Sequence, residues 1–458
     1  VVVGTGGDHP PSEGNNPRYP YPPVWSHPPH WFPRNSILPV NPGIAVLPPG
    51  SLLGNAPPPG GGSAAPVVRR GGGVPAANER HYVPDEVVVE VATTTTRQQA
   101  DALARRHRLS LLQSVSFQLG GTTLQRWRIT DRSSVPAVVR ALEADGNVLS
   151  AQPNYLFSLV GEGLPAAAPG EGDPSQYILD KMHLRQAHEL ARGDKVLVAV
   201  IDSGIDLKHP DLAGDIADSF DAIGTGLKVH SHGTAIAGAI AAHGRLMGAA
   251  PAARILAIRA FGGADADDGT TFAILAGLNW AVSHGARIVN MSFAGPQDPG
   301  ITRGIAAAHA RGVTLVAATG NKGAKSPPLY PAADPNVIAV TATDENDRMP
   351  SFANRGQYVA VAAPGVDLML LAPNGSYQWS SGTSFSSAYV SGTAALILQL
   401  RPALAPDTLR QALTATAHHL GSRTPDEQFG AGLVDAYRAV LSVAPAAANA
   451  ASVMPVSR

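Results

Sequence analysis

The chain has 458 residues, with 34 Lys and Arg against 35 Asp and Glu, and no Cys. That length exceeds one ordinary core, so several folded units with linkers are expected, and the near-neutral charge offers no field to draw nucleic acid or anionic lipid. Without cysteine, disulfides, thiolate metal sites and a cysteine nucleophile are excluded, although no compartment is named.

The opening VVVGTGGDHP has neither the basic start nor the apolar run of a secretory signal. No segment offers the roughly 20 apolar residues of a membrane span, so the chain reads as soluble. Gly and Pro supply 31 of the first 80 residues, a density typical of low-complexity sequence. Residues 1–80 are therefore expected to form an extended arm. Its aromatics Tyr19, Tyr21, Trp25, Trp31 and Phe32 lie among prolines; a polyproline-type docking ligand and a solvated spacer both fit, the spacer being the plainer reading.

From 81 to 159 the texture changes. An apolar run at Glu86 to Val91 reads as a strand, and Thr96 with Gln99 forms a capping box for a helix ending near His107. Strands at Leu109 to Phe117 and Thr123 to Ile129 flank the Gly120-Gly121 turn. A second helix, from Val135 to Ala144, has Ser134 as cap and Gly146 as stop, and a last strand covers Val148 to Gln152. The order β-α-β-β-α-β predicts a small α+β domain of ferredoxin-like type.

Residues 160–175, VGEGLPAAAPGEGDPS, read as an exposed linker of the kind proteases cut. Beyond it, from 176 to 445, apolar β-rich runs alternate with helical ones: Val196 to Ile201, Arg254 to Ala260, Arg287 to Ser292, Val313 to Ala318, Val337 to Thr341 and Tyr358 to Ala362. Runs apolar throughout imply strands covered on both faces. The expected fold is α/β, a doubly wound parallel sheet whose active site lies beyond the carboxyl ends of its strands. Residues 446–458 are left as a flexible tail.

Four residues stand at such edges. Asp202 closes the strand in VLVAVIDSGID; taken singly it could equally cap a turn or hold a metal. His232, in HSHGTAIAGAIAA, directly precedes the Gly-Thr that opens a small-residue helix, with His230 close by as a rival. Ser384 follows a hairpin turning at Asn374-Gly375 and begins an apolar helix running to about Leu400, a place where free amides favour developing negative charge but where serine is commonly only a cap. Asn321, in VAATGNKG, could donate to an oxyanion or simply turn the chain. Each signal alone is weak, and their joint occurrence in the order Asp, His, Ser is not.

Over about residues 176–445 the sequence resembles the subtilisin-like serine proteases (peptidase S8 family), whose motifs read here as VIDSGID, HGTAIAG, TGN and GTSFSSAYVSG. The order itself is a known mark of that family. The resemblance implies a serine endopeptidase acting on protein or peptide substrates, with Asp202, His232 and Ser384 as triad and Asn321 as oxyanion donor. Related serine carboxyl peptidases, with Glu for the His and Asp for the Asn, are disfavoured by His232 and Asn321. For substrate contacts the resemblance points to Ser292, Phe293, Ala294 and Gly295 on one side, Gly269 on the other, and Leu329 as a pocket floor that favours small or medium apolar residues.

The domain at 81–159, ending AQPNYLFSL, resembles the inhibitory propeptide (inhibitor I9 type) of the same family, which implies a zymogen cutting itself between about Phe157 and Gln176 and a secreted or periplasmic enzyme. Two departures, Ala235 for a second histidine and Ala388 for proline, do not touch the chemistry. A third is larger: the loop AAHGRLMGAAP is short and lacks side-chain carboxylates, so the family's strong calcium loop is expected to be absent, with no cofactor required and only weak calcium binding through groups such as Asp211 left open. The rival readings are a catalytically silent subtilisin fold used for binding or regulation, and a flavodoxin-like ligand domain, for which no phosphate loop is found.

Overall fold

Strand β1 (Tyr82–Ala92) states the plan of the small domain: Val87, Val89 and Val91 face one core and Val88 another, as the period of two in a strand requires. The computed structural model describes residues 73–160, 162–164, 173, 175–226, 229–262, 268–421 and 426–444, which fall within one compact unit. The expected arm up to residue 72 and the expected tail lie outside the described residues.

After β1 come α1 (Arg97–His107), β2 (Leu109–Phe117), β3 (Thr122–Ile129), α2 (Val135–Glu143) and β4 (Ser150–Leu159). The strands order as β4-β1-β3-β2, antiparallel throughout. Both halves of the Thr96–Gln99 capping box form, whereas Ser134 stands at its cap position without a side-chain bond. Two boundaries shift. Residues 73–80, assigned above to the arm, join this domain, because Gly73 donates to the carbonyl of Ala151 at 3.0 Å and Val74 packs on its core. The last strand, expected to stop at Gln152, runs on to Leu159 because it finds partners outside its own domain.

The expected linker contains β5 (Glu162–Leu164). The large domain follows with α3 (Tyr177–Lys181), α4 (Leu184–Leu190), β6 (Leu197–Asp202), β7 (Ile216–Asp221), α5 (Ser231–Ala241), β8 (Arg254–Arg259), β9 (Asp268–Thr270) and α6 (Thr271–Ser283). Then come β10 (Ile288–Met291), β11 (Phe293–Ala294), α7 (Pro299–Ala310), β12 (Thr314–Ala318), β13 (Val337–Thr343), β14 (Val361–Pro364), β15 (Leu368–Ala372), β16 (Ser376–Ser381), α8 (Thr383–Leu400), α9 (Pro406–Thr416) and α10 (Ala436–Val443). Seven strands make a parallel sheet in the order β14-β13-β12-β10-β6-β8-β7. Val198 and Val200 of β6 enter one core with α5 and α8, and Ala199 and Ile201 enter the other with α6 and α7. The strand order changes direction at β6, so a crevice opens at its carboxyl end, where Asp202 stands.

Helix α8 is buried from Thr383 to Leu398; a helix enclosed on all sides must be apolar or small all round, as its sequence is. Small residues also let α5 lie close to its neighbours: a β-carbon on Gly238 would come within 2.3 Å of the Leu371 side chain. The small domain caps the amino ends of α6 and α7. Asn154 Oδ1 accepts from the backbone N–H of Phe272 at 3.2 Å, and Gln152 donates at 2.6 Å to Asp298, the cap of α7.

Candidate active site

Asp202 is fully buried at the carboxyl end of β6, and its Oδ1 accepts from the backbone N–H of Ser203 at 2.7 Å and from the Ser203 hydroxyl at 3.2 Å. The same oxygen lies 2.7 Å from Nδ1 of His232, in the first turn of α5. The aspartate is stationed by a strand end and the histidine by a helix start, so neither depends on a loop. A carboxylate only accepts, so the imidazole carries its proton on Nδ1, and Nε2 faces the other way, 3.4 Å from the carbonyl oxygen of Val160.

Ser384 is the second residue of α8, after the Gly382 cap. Its hydroxyl donates to that same Val160 oxygen and lies 3.1 Å from the carbonyl oxygen of Ser292. Asp202, His232 and Ser384 thus meet around one peptide carbonyl, which belongs to the chain itself. Asn321, just past β12, accepts through Oδ1 from the backbone N–H of Thr383 at 3.2 Å and from its hydroxyl at 3.0 Å. A backbone N–H can only donate, so the oxygen of Asn321 is the end turned to Thr383 and the amide NH₂ is the other.

The expected substrate-contact residues lie on both sides of β4. Gly269 in β9 pairs with Phe157, and Phe293 and Ala294 in β11 pair with Leu159 and Ser158, all antiparallel. The carbonyl of Ser292 accepts from the N–H of Val160 at 3.4 Å. Past the site, Glu162, Gly163 and Leu164 of β5 pair with Ser381, Ser380 and Trp379 of β16. The described residues before and after position 161 are therefore both extended and paired, the first between β9 and β11 and the second along β16. This overturns the expectation of an exposed linker at its amino end: Val160 is 7% exposed.

Gly295 is spared a side chain by Phe157, whose ring a β-carbon there would approach to 2.2 Å, and Gly269 by Phe261 at 2.6 Å. Leu329 is 8% exposed, and its Cδ1 would be 3.0 Å from a β-carbon on Gly320, which has φ +107°. The leucine therefore sits against the backbone just before Asn321 and fills the space there. Phe261, Thr383, Ser203 and Val160 were not singled out from the sequence, and Phe157 only as the near limit of the processing region. An aromatic residue bordering a strand end offered a signal for Phe261; the ring of Phe157 gave none, and the others act through backbone or a single hydroxyl and carry none.

Both carboxylate oxygens of Asp211 accept hydrogen bonds within the chain. Its Oδ2 accepts from the N–H of Leu246 at 2.8 Å and its Oδ1 from the Tyr377 hydroxyl at 3.0 Å. The guanidinium of Arg245, in the short loop, lies 4.1 Å from the centre of the Tyr377 ring and 3.5 Å from the Asp173 carboxylate. Burial, with the Asp211 carboxylate next to it, pushes the Tyr377 hydroxyl up to about 12.

Residues 193–432 match the sequence profile of the subtilase family, Peptidase S8. The chain belongs to that family. This subtilase also matches the fervidolysin N-terminal prodomain over residues 70–154. It is 35% identical over 275 residues to thermitase of Thermoactinomyces vulgaris, covering 58% of this chain and 95% of that protein. To the thermophilic serine proteinase of Bacillus sp. (strain AK1) it is 34% identical over 327 residues, 69% of this chain and 78% of that one. The crystal structure of fervidolysin from Fervidobacterium pennivorans superposes with a TM-score of 0.71 at 24% identity, covering 83% of the subtilase and 64% of fervidolysin, a likeness of fold. The subtilase is a subtilisin-like serine protease with a prodomain, a hydrolase of peptide bonds. Among the described residues no helix is long and apolar enough to cross a membrane.

Proposed function

We propose that Asp202, His232 and Ser384 are the catalytic triad of an endopeptidase, with Asn321 and the backbone N–H of Ser384 as oxyanion donors, and that the chain is a zymogen that cuts itself between Val160 and Gly161. The observation that carries this reading is the Val160 carbonyl oxygen held at the Ser384 hydroxyl, on a strand paired both before and after that point.

His232, its Nδ1–H fixed on Asp202, takes the Ser384 proton on Nε2 as Oγ attacks the carbonyl carbon. The negative charge passes to the carbonyl oxygen, where preformed N–H donors stabilise it. Collapse breaks the C–N bond, and the imidazolium returns its proton to the departing amine of Gly161. Water then releases the acyl group by the same steps in reverse. Asp202 keeps the tautomer and steadies the cation without itself taking a proton.

Protein substrates would bind as the chain's own strand does, added between β9 and β11 and continuing along β16, with main-chain pairing for affinity and side-chain slots for choice. Until it is degraded, the prodomain would inhibit the cleft that it fills. No cofactor enters the mechanism, and the engaged oxygens of Asp211 support a fold held without strong calcium binding. A self-cleaved prodomain suits release of activity outside the cytoplasm, secreted or periplasmic. Covalent labelling by a fluorophosphonate tests the reading: an adduct is expected on Ser384 of the processed enzyme and none in Ser384→Ala, and a processed wild type that takes no label would overturn it.

A further inference from the structure

On the face that β1 turns to the protease domain, Glu86, Val88 and Glu90 follow one another at the spacing of two that puts side chains on one side of a strand. Val88 enters the core shared with Leu275, Leu278, Ile301 and Ile305 of α6 and α7. Both glutamates are buried, Glu86 at 2% and Glu90 at 3% exposure, and they are satisfied in different ways. Glu86 is held from within the prodomain: Arg126 donates to its two oxygens through Nε at 2.7 Å and Nη2 at 2.8 Å, and Asn154 Nδ2 donates at 2.9 Å. Glu90 takes hydroxyl bonds from its own domain, from Thr122 to Oε2 and from Ser150 to Oε1, each at 3.1 Å. A cation reaches it from the other domain. Nη2 of Arg303, on α7, donates to Glu90 Oε1 at 2.6 Å and to the Ser150 oxygen at 3.0 Å. The two Nη2 protons and the Ser150 hydroxyl proton suffice for these three bonds.

We propose that this pair decides which prodomain the protease accepts, with Glu90 as the feature read and Arg303 as the residue that reads it. The proposal rests on the reading above of the prodomain as inhibitor of the processed enzyme. Apolar contacts such as that of Val88 are non-directional and tolerate exchange among side chains of similar size, whereas breaking a buried ion pair by removing one partner leaves an uncompensated charge. A related β-α-β-β-α-β domain with a neutral side chain at this place would leave the largely covered guanidinium facing uncharged groups, and one with a basic residue would set two cations together. Both arrangements penalise the wrong partner. Ser150 opens β4, whose far end pairs with β9 and β11 in the crevice. The pair thus acts outside the substrate crevice, and choice of prodomain is separable from peptide hydrolysis.

The test titrates processed enzyme obtained from the full chain, wild type and Arg303→Glu, with the cleaved prodomain in its wild-type and Glu90→Gln forms, reading residual activity on a short uncharged peptide. The wild-type enzyme is expected to bind the wild-type prodomain at least about 30-fold more tightly than Glu90→Gln, the range for breaking one side of a buried charge pair. Arg303→Glu should invert the preference, taking Glu90→Gln about tenfold more tightly than the wild-type prodomain, with kcat/KM on the peptide unchanged. If Arg303→Glu does not mature, the inversion is read by calorimetry in full-length Ser384→Ala: Glu90→Gln should lower the melting temperature beside Arg303 and raise it in the chain carrying Arg303→Glu. The same preference in both enzymes, or the same sign of shift in both full-length chains, overturns the proposal. A wild-type enzyme that its cleaved prodomain does not inhibit overturns the inhibitor reading instead, and this one with it.

Discussion

The ring of Phe157, in the prodomain strand, stands edge-on to that of Phe293 in the protease domain, with centroids 6.0 Å apart and planes at 82°. Phe293 in turn packs on Phe261 at 4.9 Å, and Gly295, without a side chain, leaves room for the Phe157 ring. Removing a buried phenylalanine side chain costs about 3–5 kcal/mol. Phe157→Ala is thus expected to weaken inhibition of the processed enzyme by its cleaved prodomain at least about 100-fold, measured by titrating residual activity. Unchanged inhibition would mean that the slot contributes nothing to recognition.

The oxygen of Asn321 is engaged by the backbone N–H and the hydroxyl of Thr383, which leaves its amide N–H groups as donors. Asn321→Ala is expected to lower kcat by about 10²–10³, or roughly 2.7–4 kcal/mol, a magnitude measured in subtilisin itself, with KM nearly unchanged. Steady-state kinetics of the processed variant decide this, and full kcat would remove Asn321 from the mechanism.

Leu329 fills the space beside Gly320, and the proposed function makes it the floor of the pocket for the residue before the scissile bond. The wild type should favour Val or Ala over Phe immediately before the scissile bond, as its own Val160 suggests, and Leu329→Gly should raise cleavage after Phe by an order of magnitude or more. Competition between matched peptides gives the ratio directly; equal cleavage after Phe and Ala by the wild type would refute the assignment.

Asp145 secures the end of α1 in the prodomain. Burial would raise its pKa, but hydrogen bonds from His107, Asn147 and Arg106 outweigh that and hold it below the usual carboxylate range. A depressed pKa in the folded state gives stability that is present above the unfolded value near 3.9 and is lost as pH falls below it. In full-length Ser384→Ala, the prodomain should therefore lose stability below about pH 4, and Asp145→Asn should lower its melting temperature at pH 7 while flattening that acid dependence. Identical pH curves by calorimetry would contradict this.

Much of this architecture was legible because it follows from periods and edges. Val198, Ala199, Val200 and Ile201 are apolar without a break because both faces of β6 are covered, and Asp202 marks the carboxyl end of that strand, where the crevice opens. Thr96 and Gln99 announced a helix because a capping box is local. What stayed hidden was formed between domains. Strands β5, β9 and β11 have two or three residues each, too few to show a period, and exist only because another strand pairs with them. Val160 lay in a Gly- and Pro-rich stretch that reads as linker, and its importance lies in a backbone carbonyl that any residue would provide.

The central claim, that the chain presents its own Val160–Gly161 bond to Ser384, is tested most directly by intact mass and amino-terminal sequencing of purified wild type beside Ser384→Ala. Cleavage in wild type alone, giving a protease fragment that begins at Gly161 or is trimmed from there, is the expected result. The same cut in Ser384→Ala, or a wild type that is active with the Val160–Gly161 bond intact, would contradict it.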